Sequence, residues 1–169
     1  RIAVVGAGAA AYRFVSSYRQ RNQRDEITVF SREPHAFYNR VLLPEYVSDQ
    51  LDWNGLEKMT DERRSVLGFK LQAGVTIEHI DRAAKTITDD KGEVYAYDRL
   101  IIATGSRPFV PRDVPIHIPG VFTMRRRDDA DALKAYLQPT TKGRGKLTER
   151  HVLIVGGGLL GLELASALR

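Results

Sequence analysis

The chain begins with a short hydrophobic run that is followed by glycine and alanine. The residues from Ile2 to Val5 are small or β-branched, which is typical of a buried parallel strand. Gly6 to Ala11 predict a turn, and a helix with one apolar face follows to about Gln20. A second apolar run, Ile27 to Phe30, predicts another strand. Strand, helix and strand within about 30 residues make a βαβ unit, so the pattern predicts an α/β fold with a Rossmann-like parallel sheet.

The pattern then changes to short strands that are separated by turn residues. Three runs, Val75 to Ile80, Lys85 to Thr88 and Glu93 to Tyr97, predict a small antiparallel β-meander. The sequence DDKG at Asp89 to Gly92 has the chemistry of a hairpin turn. The apolar run Leu100 to Ala103 predicts one more buried strand.

The segments between these strands differ in composition. Ser31 to Pro44 is rich in proline, histidine and aromatic residues and is interpreted as a loop, whereas Thr60 to Gly68 predicts a short helix. The stretch SRPFVPRDVPIHIPG, which ends at Gly120, predicts an extended crossing between domains because proline excludes a helix there. A helix capped by Asp128 should follow, and Gln138 to Arg150 is interpreted as a basic, flexible connection.

The first turn matches a dinucleotide-binding fingerprint. Gly6 permits a tight turn, and Gly8 lets the backbone approach a pyrophosphate without a Cβ atom in the way. Ala9 and Ala10 open the helix, whose N–H groups and dipole attract phosphate, and Ala11 lets the helix pack closely on the strand. The alternative is a glycine turn that serves only this packing.

A ribose hydroxyl in such a site is usually held by a carboxylate that follows the second strand. Glu33 is the candidate, although it lies slightly beyond the usual place because Ser31 and Arg32 come first.

The end of the chain repeats the same pattern. A predicted strand, His151 to Val155, leads into a second fingerprint formed by Gly156, Gly158 and Gly161. Two fingerprints in one chain imply two dinucleotides, which suggests electron transfer between a nicotinamide and a flavin.

Composition narrows the possible functions. The 169 residues include no cysteine, which excludes disulfide chemistry and thiolate metal ligation within them, and the four histidines lack metal-ligand spacing. The net charge is +5, but the basic residues form no stripe interleaved with aromatics, so nucleic acid is not the expected partner. No apolar run is long enough to span a membrane, and we expect a cytoplasmic protein.

Four stretches carry a family resemblance: VVGAGAAAYRF, ITVFSREPHAFYNRVLLPEY, YDRLIIATGSRP and VLIVGGGLLGLELASAL. They resemble the FAD- and NAD(P)H-dependent pyridine nucleotide reductases, and most closely the flavin portion of the large subunit of NAD(P)H-dependent nitrite reductases. The resemblance implies an FAD-binding domain at residues 1–124, without its final segment, and the start of an NAD(P)H-binding domain at 125–169. It implies siroheme and an iron–sulfur cluster only in regions that this chain lacks.

The resemblance also assigns roles to single residues. It implies that the FAD lies against Tyr38, Asn39, Arg40, Val75, Thr104 and Gly105. Arg40 would approach the flavin or its pyrophosphate, for which a guanidinium is a suitable donor, and the Val75 backbone would lie near the adenine. Glu163 would lie close to the nicotinamide and is the candidate catalytic residue. The alternatives are a surface arginine and an ordinary helix glutamate.

The expected reaction is hydride transfer from NAD(P)H to FAD, which feeds electrons to nitrite reduction in the parent protein. A rubredoxin- or ferredoxin-type reductase is the first alternative. The resemblance implies that a lysine is common in the ferredoxin-reductase branch where this chain has Glu45, which weakens the ferredoxin-reductase alternative. The second is a non-catalytic flavin-binding protein that contacts nucleic acid or protein through its basic surface. The implied partners are a nicotinamide nucleotide, a downstream electron acceptor and, through an exposed terminal helix, a second copy of the chain; the chain alone is expected to be inactive.

Overall fold

The computed structural model describes residues 1–138 and 151–169. Its strands are β1 (Ile2–Val5), β2 (Ile27–Ser31), β3 (Lys70–Ala73), β4 (Ile77–Asp81), β5 (Thr86–Asp89), β6 (Val94–Ala96) and β7 (Arg99–Ile102). Its helices are α1 (Ala9–Arg19), α2 (Leu43–Val47), α3 (Trp53–Leu56), α4 (Asp61–Leu67), α5 (Arg127–Leu137) and α6 (Leu159–Ala167), and a 3₁₀ turn (Arg40–Leu42) precedes α2.

Four parallel strands form one sheet in the order β3-β2-β1-β7, and β4-β5-β6 form a separate antiparallel sheet. The predicted α/β fold with a β-meander is therefore confirmed. The chain divides into two compact units: Arg1–Tyr38 with Glu57–Ser106, and Asn39–Leu56 with Arg107–Arg169. Both sheets belong to the first unit, and the proposed domain division at residue 124 stays a prediction.

The side chains along the strands of the first unit point alternately to two sides and form two separate hydrophobic clusters. Ile2 and Val4 of β1 pack with Ala11 and Val15 of α1 on one side of the parallel sheet. The intervening Ala3 packs with residues that include Phe30 of β2, Ile87 of β5 and the buried ring of Tyr97. Because side chains alternate along a strand, the single run at the start of the chain supplies both layers of the core.

Two expectations about helices are wrong. The segment interpreted as a loop contains the 3₁₀ turn and the start of α2, where Pro44 fits the first helical turn because no intrahelical partner is needed there. The cap of α5 is Arg126, not Asp128: the carboxylate of Asp129 accepts a hydrogen bond from the Arg126 N–H at 2.7 Å. Asp129 is the third residue of the helix, and a carboxylate at this position can reach back to the N–H of the cap residue. Asp128, one residue earlier, does not do so here.

The predicted strand His151 to Val155 is also not formed among the described residues. These residues pair with no strand in the parts of the chain that the structure describes, and Leu153 and Val155 are about nine-tenths exposed. A strand is stabilised by its ladder hydrogen bonds, so an apolar run without a partner strand stays irregular. The predicted basic connection at 139–150 lies outside the described residues.

Asp89 closes the hairpin between β5 and β6. Its carboxylate is buried and accepts hydrogen bonds from the N–H groups of Lys91 at 3.0 Å and Glu93 at 2.8 Å, and from the Tyr95 hydroxyl at 3.1 Å. Burial by itself would raise the pKa of Asp89, but these donors outweigh burial and lower it below the ordinary value of 3.8. The ionised carboxylate therefore stabilises the fold.

We expect Asp89→Asn to lower the melting temperature by several degrees at neutral pH and by much less near pH 3. A carboxyl group whose pKa is lowered on folding stabilises the protein above its unfolded pKa, and this stability is lost as the pH falls through the folded value. Thermal melts from pH 7 to pH 3 measure the difference, and Asp113→Asn, an exposed aspartate, serves as the control. A difference that is independent of pH would contradict the assignment.

Candidate functional site

The glycine turn after β1 lies against the end of β7. Gly6 has φ +105°, its N–H donates to the Phe30 carbonyl at 2.8 Å, and a Cβ atom there would lie 2.2 Å from the Ala103 carbonyl oxygen. The same Cβ would lie 2.9 Å from the Thr104 N atom. Only glycine fits this position, which places the first fingerprint beside the Thr104 backbone at the end of β7.

Helix α1 starts from this turn with its N-terminus open. Gly8 is the cap residue, has extended backbone (φ −88°, ψ −168°) and makes no side-chain capping bond. The first turn of α1 carries no acidic residue, and Ala9 and Ala10 are exposed. Ala11, by contrast, is buried against the sheet. The positive end of the helix dipole thus faces outward without a carboxylate, an arrangement that suits an anion.

This turn also lies at the point where the order of the strands in the sheet reverses. From β1 the chain proceeds to β2 and β3 on one side, while β7 pairs with β1 on the other. Open α/β sheets bind ligands outside the carboxyl ends of the strands at such a switch point. The geometry therefore fits the pyrophosphate of a dinucleotide.

Glu33 and Val75 come together beside the same edge of the sheet. The Tyr38 hydroxyl donates to Glu33 Oε2 at 2.6 Å, and the Tyr38 ring is buried. Ser31 links the loop after β2, which carries Glu33, to the loop after β3, which carries Val75. Its hydroxyl donates to the Glu33 carbonyl at 2.9 Å, and its carbonyl accepts a hydrogen bond from the Val75 N–H at 2.8 Å. The Val75 N–H is therefore already used within the protein, and the contribution expected of its backbone is limited to the carbonyl.

Asn39 and Arg40 belong to the second unit. The Asn39 side chain accepts a hydrogen bond from the Val41 N–H at 3.2 Å and caps the 3₁₀ turn, of which Arg40 is the first residue. The Asn39 N–H donates to the Leu56 carbonyl at 2.8 Å. Arg40 thus has a fixed backbone at the start of α2, with its side chain partly exposed.

The second glycine turn has the same construction as the first. Gly156 has φ +117°, Gly158 caps α6 with extended backbone (φ −75°, ψ 173°), and the first turn of α6 contains no acidic residue. A Cβ atom at Gly161 would lie 2.3 Å from the Gly156 carbonyl oxygen, so close packing of helix on turn requires glycine there. Glu163 lies in the second turn of α6 and is half-buried.

The apolar residues of α6 remain accessible. Leu159 is 72% and Leu162 is 62% exposed. An exposed apolar helix favours association, and the homodimer stays a prediction.

In residues 1–138 and 151–169, no group of three or more histidine or acidic side chains could hold a metal ion. No helix in these ranges is long and apolar enough to cross a membrane.

The fold and the two glycine turns define an α/β protein of the Rossmann type. The chain belongs to the pyridine nucleotide-disulphide oxidoreductase family, whose model matches residues 1–169.

Relatives within this family include reductases of several kinds. The chain is 35% identical to the nitrite reductase (NAD(P)H) large subunit of Klebsiella oxytoca, over 99% of its own length and 17% of the relative. It is also 35% identical to the probable ferredoxin reductase CtmF of Castellaniella defragrans, over 99% of its length and 39% of that protein. The crystal structure of NADH:rubredoxin oxidoreductase from Clostridium acetobutylicum superposes with a TM-score of 0.82 at 27% identity, covering 99% of this chain and 41% of that one. The chain therefore spans less than half the length of each of these relatives.

Proposed function

We propose that this chain binds FAD at its first glycine turn and NAD(P)H at its second, as the flavin portion of a reductase that feeds electrons to nitrite reduction. The observation that carries the proposal is the uncapped N-terminus of α1, which follows Gly6 and Gly8 at the switch point of the sheet. When bound, FAD would accept a hydride from NAD(P)H and release its electrons one at a time.

The residues of the first unit fit the adenosine diphosphate half of FAD. The N–H groups that open α1 would hold the pyrophosphate, and Gly8 leaves room for its approach. Glu33 would hold the ribose, with the buried Tyr38 hydroxyl fixing its carboxylate. Thr104 and Gly105 would border the cofactor from the end of β7. Arg40 belongs to the second unit, and we propose that it supplies a cation to the flavin or the phosphates.

The electron acceptor is the part of the proposal that needs a direct test. Identity to the nitrite reductase and to the ferredoxin reductase is equal at 35%, so the ferredoxin- or rubredoxin-type reductase is the second candidate. The resemblance implies that a lysine is common at this place in the ferredoxin-reductase branch, where this chain has Glu45. A cation would stabilise an anionic reduced flavin and a carboxylate would not, which favours the nitrite reductase. A cytoplasmic location belongs to the same proposal.

The test uses the full-length protein with NADH or NADPH as donor. Ammonium formation from nitrite supports the first candidate, whereas reduction of an added ferredoxin or rubredoxin without nitrite turnover supports the second. Bound flavin with neither activity would support a non-catalytic flavin-binding protein.

Glu33→Ala should weaken FAD binding by about 1–3 kcal/mol, the loss expected for a charge-assisted hydrogen bond. Titration of the apoprotein with FAD, followed by flavin fluorescence quenching, measures the change. Glu78→Ala removes an exposed carboxylate from β4 and is the matched control. Unchanged FAD affinity in Glu33→Ala would move the ribose contact to Ser31 or to the backbone.

Glu163→Gln should slow flavin reduction about tenfold while changing the affinity for NAD(P)H much less, because the side chain orients the nicotinamide rather than holding the phosphates. Stopped-flow absorbance at varied NAD(P)H separates the limiting rate from the dissociation constant. Ser166→Ala alters an exposed side chain of the same helix and is the control. A variant whose loss lies in the dissociation constant alone would contradict the orienting role.

A further inference from the structure

The segment Asn39–Leu56 is an excursion that is packed on α5. It begins and ends at the backbone hydrogen bond from the Asn39 N–H to the Leu56 carbonyl, and it carries Arg40, α2 and α3. It belongs to the same compact unit as α5. Three α5 side chains that lie at helical spacing, Arg127, Asp131 and Lys134, make its polar contacts. We call these three residues the α5 anchoring face.

Tyr46 is the central contact between α2 and the anchoring face. Its side chain is 9% exposed, and its hydroxyl donates to Asp131 Oδ1 at 2.7 Å. Burial, and after it the hydrogen bond to Asp131, raises the pKa of Tyr46 above its usual value. The hydroxyl is protonated at neutral pH, as in an ordinary tyrosine, and it donates to Asp131.

Lys134 and Arg127 add contacts on both sides of this hydrogen bond. The Lys134 ammonium donates to the Tyr46 carbonyl at 3.3 Å, lies 4.7 Å from the centre of its ring and pairs with the Asp49 carboxylate. The Arg127 guanidinium lies 4.0 Å from the centre of the Trp53 ring. One helix face thus holds both helices of the excursion.

We propose that Tyr46, Asp131 and Lys134 are positioning residues that fix α2, and with it the Arg40 backbone, before FAD binds. This inference rests on the proposed function, in which Arg40 contacts the cofactor. The 3₁₀ turn that begins at Arg40 continues directly into α2, so the placement of α2 sets the origin of the Arg40 side chain. Without the anchoring contacts the excursion would populate other placements, and the apparent dissociation constant rises as the competent fraction falls.

The experiment removes one oxygen atom from the full-length protein. Tyr46→Phe keeps the ring and its packing but loses the bond to Asp131, and we expect FAD affinity to fall about fivefold, the effect of one hydrogen bond. Tyr18→Phe is a matched control, because the Tyr18 hydroxyl donates to Asp25 within the other unit. FAD titration and the visible circular dichroism of the bound flavin are recorded for wild type and both variants.

Weaker FAD binding and an altered flavin spectrum in Tyr46→Phe, with wild-type values in Tyr18→Phe, support the positioning role. Equal behaviour of the two variants overturns it. If Tyr46→Phe does not fold, Lys134→Met takes its place, with the same two outcomes. Wild-type protein that binds no FAD would instead contradict the proposed function, so the two failures are distinguishable.

Discussion

Valine in place of Gly8 is expected to abolish FAD binding, weakening it by at least about 100-fold, or roughly 3 kcal/mol. Gly8 has an ordinary extended backbone that any residue adopts, so its backbone conformation does not require glycine. The requirement arises from the ligand, because a side chain at the cap of α1 would occupy the space through which the pyrophosphate reaches the helix N-terminus.

The measurement is the flavin content of purified full-length protein, from its absorbance relative to protein concentration. Gly8→Ala should give an intermediate loss, and circular dichroism should show that both variants are folded. A yellow Gly8→Val protein with stoichiometric flavin would refute the first fingerprint as the FAD site.

Gly158→Val is expected to block reduction by NAD(P)H by about 100-fold while FAD stays bound. The Gly158 backbone is extended, and a Cβ atom there would contact nothing within 4 Å, so the fold tolerates the substitution. The side chain would instead lie at the open N-terminus of α6, where the second pyrophosphate is proposed to bind.

Gly157→Val is the matched control for this variant. It adds the same side chain one residue earlier in the same turn, where a Cβ atom also meets nothing. Stopped-flow reduction of the bound flavin by NADH and by NADPH gives the rates. Normal reduction of Gly158→Val would end the two-cofactor interpretation, and loss of FAD from the same variant would show that the two turns do not serve separate cofactors.

The parts of the fold that the sequence predicts are those whose causes are local. The strand, turn and helix around Gly6 follow from apolar periodicity and from a turn that needs positive φ. The helix Asp61–Leu67 has the expected boundaries, because Thr60 caps it and Gly68 ends it in the left-handed conformation.

The parts that the sequence does not predict depend on distant partners. The bond between Tyr46 and Asp131 joins residues that are 85 positions apart, and neither lies in a motif that would indicate it. The strand β3 has the unremarkable sequence KLQA and is defined by its pairing with β2. The apolar run at His151 to Val155 shows the converse, since a strand-forming pattern stays irregular where no partner strand is described.

At the candidate site, the two glycine turns could be predicted because each follows an apolar run and begins with a glycine that has positive φ, Gly6 and Gly156. The coupling of Glu33 to Tyr38 could not, because it depends on how the chain bends after β2. A carboxylate followed five residues later by a tyrosine gives no periodic signal on its own.

The backbone hydrogen bond between Asn39 and Leu56 closes a segment that we expect to be exchangeable as one unit. Because this segment leaves and rejoins the chain at one point, its length and sequence can change without shifting the register of β2 or β3. The contacts of its Tyr46 and Trp53 demand a complementary surface on α5, so we expect the segment and this α5 face to change together. Exchange of Asn39–Leu56 between relatives should therefore succeed when residues 127, 131 and 134 are exchanged with it.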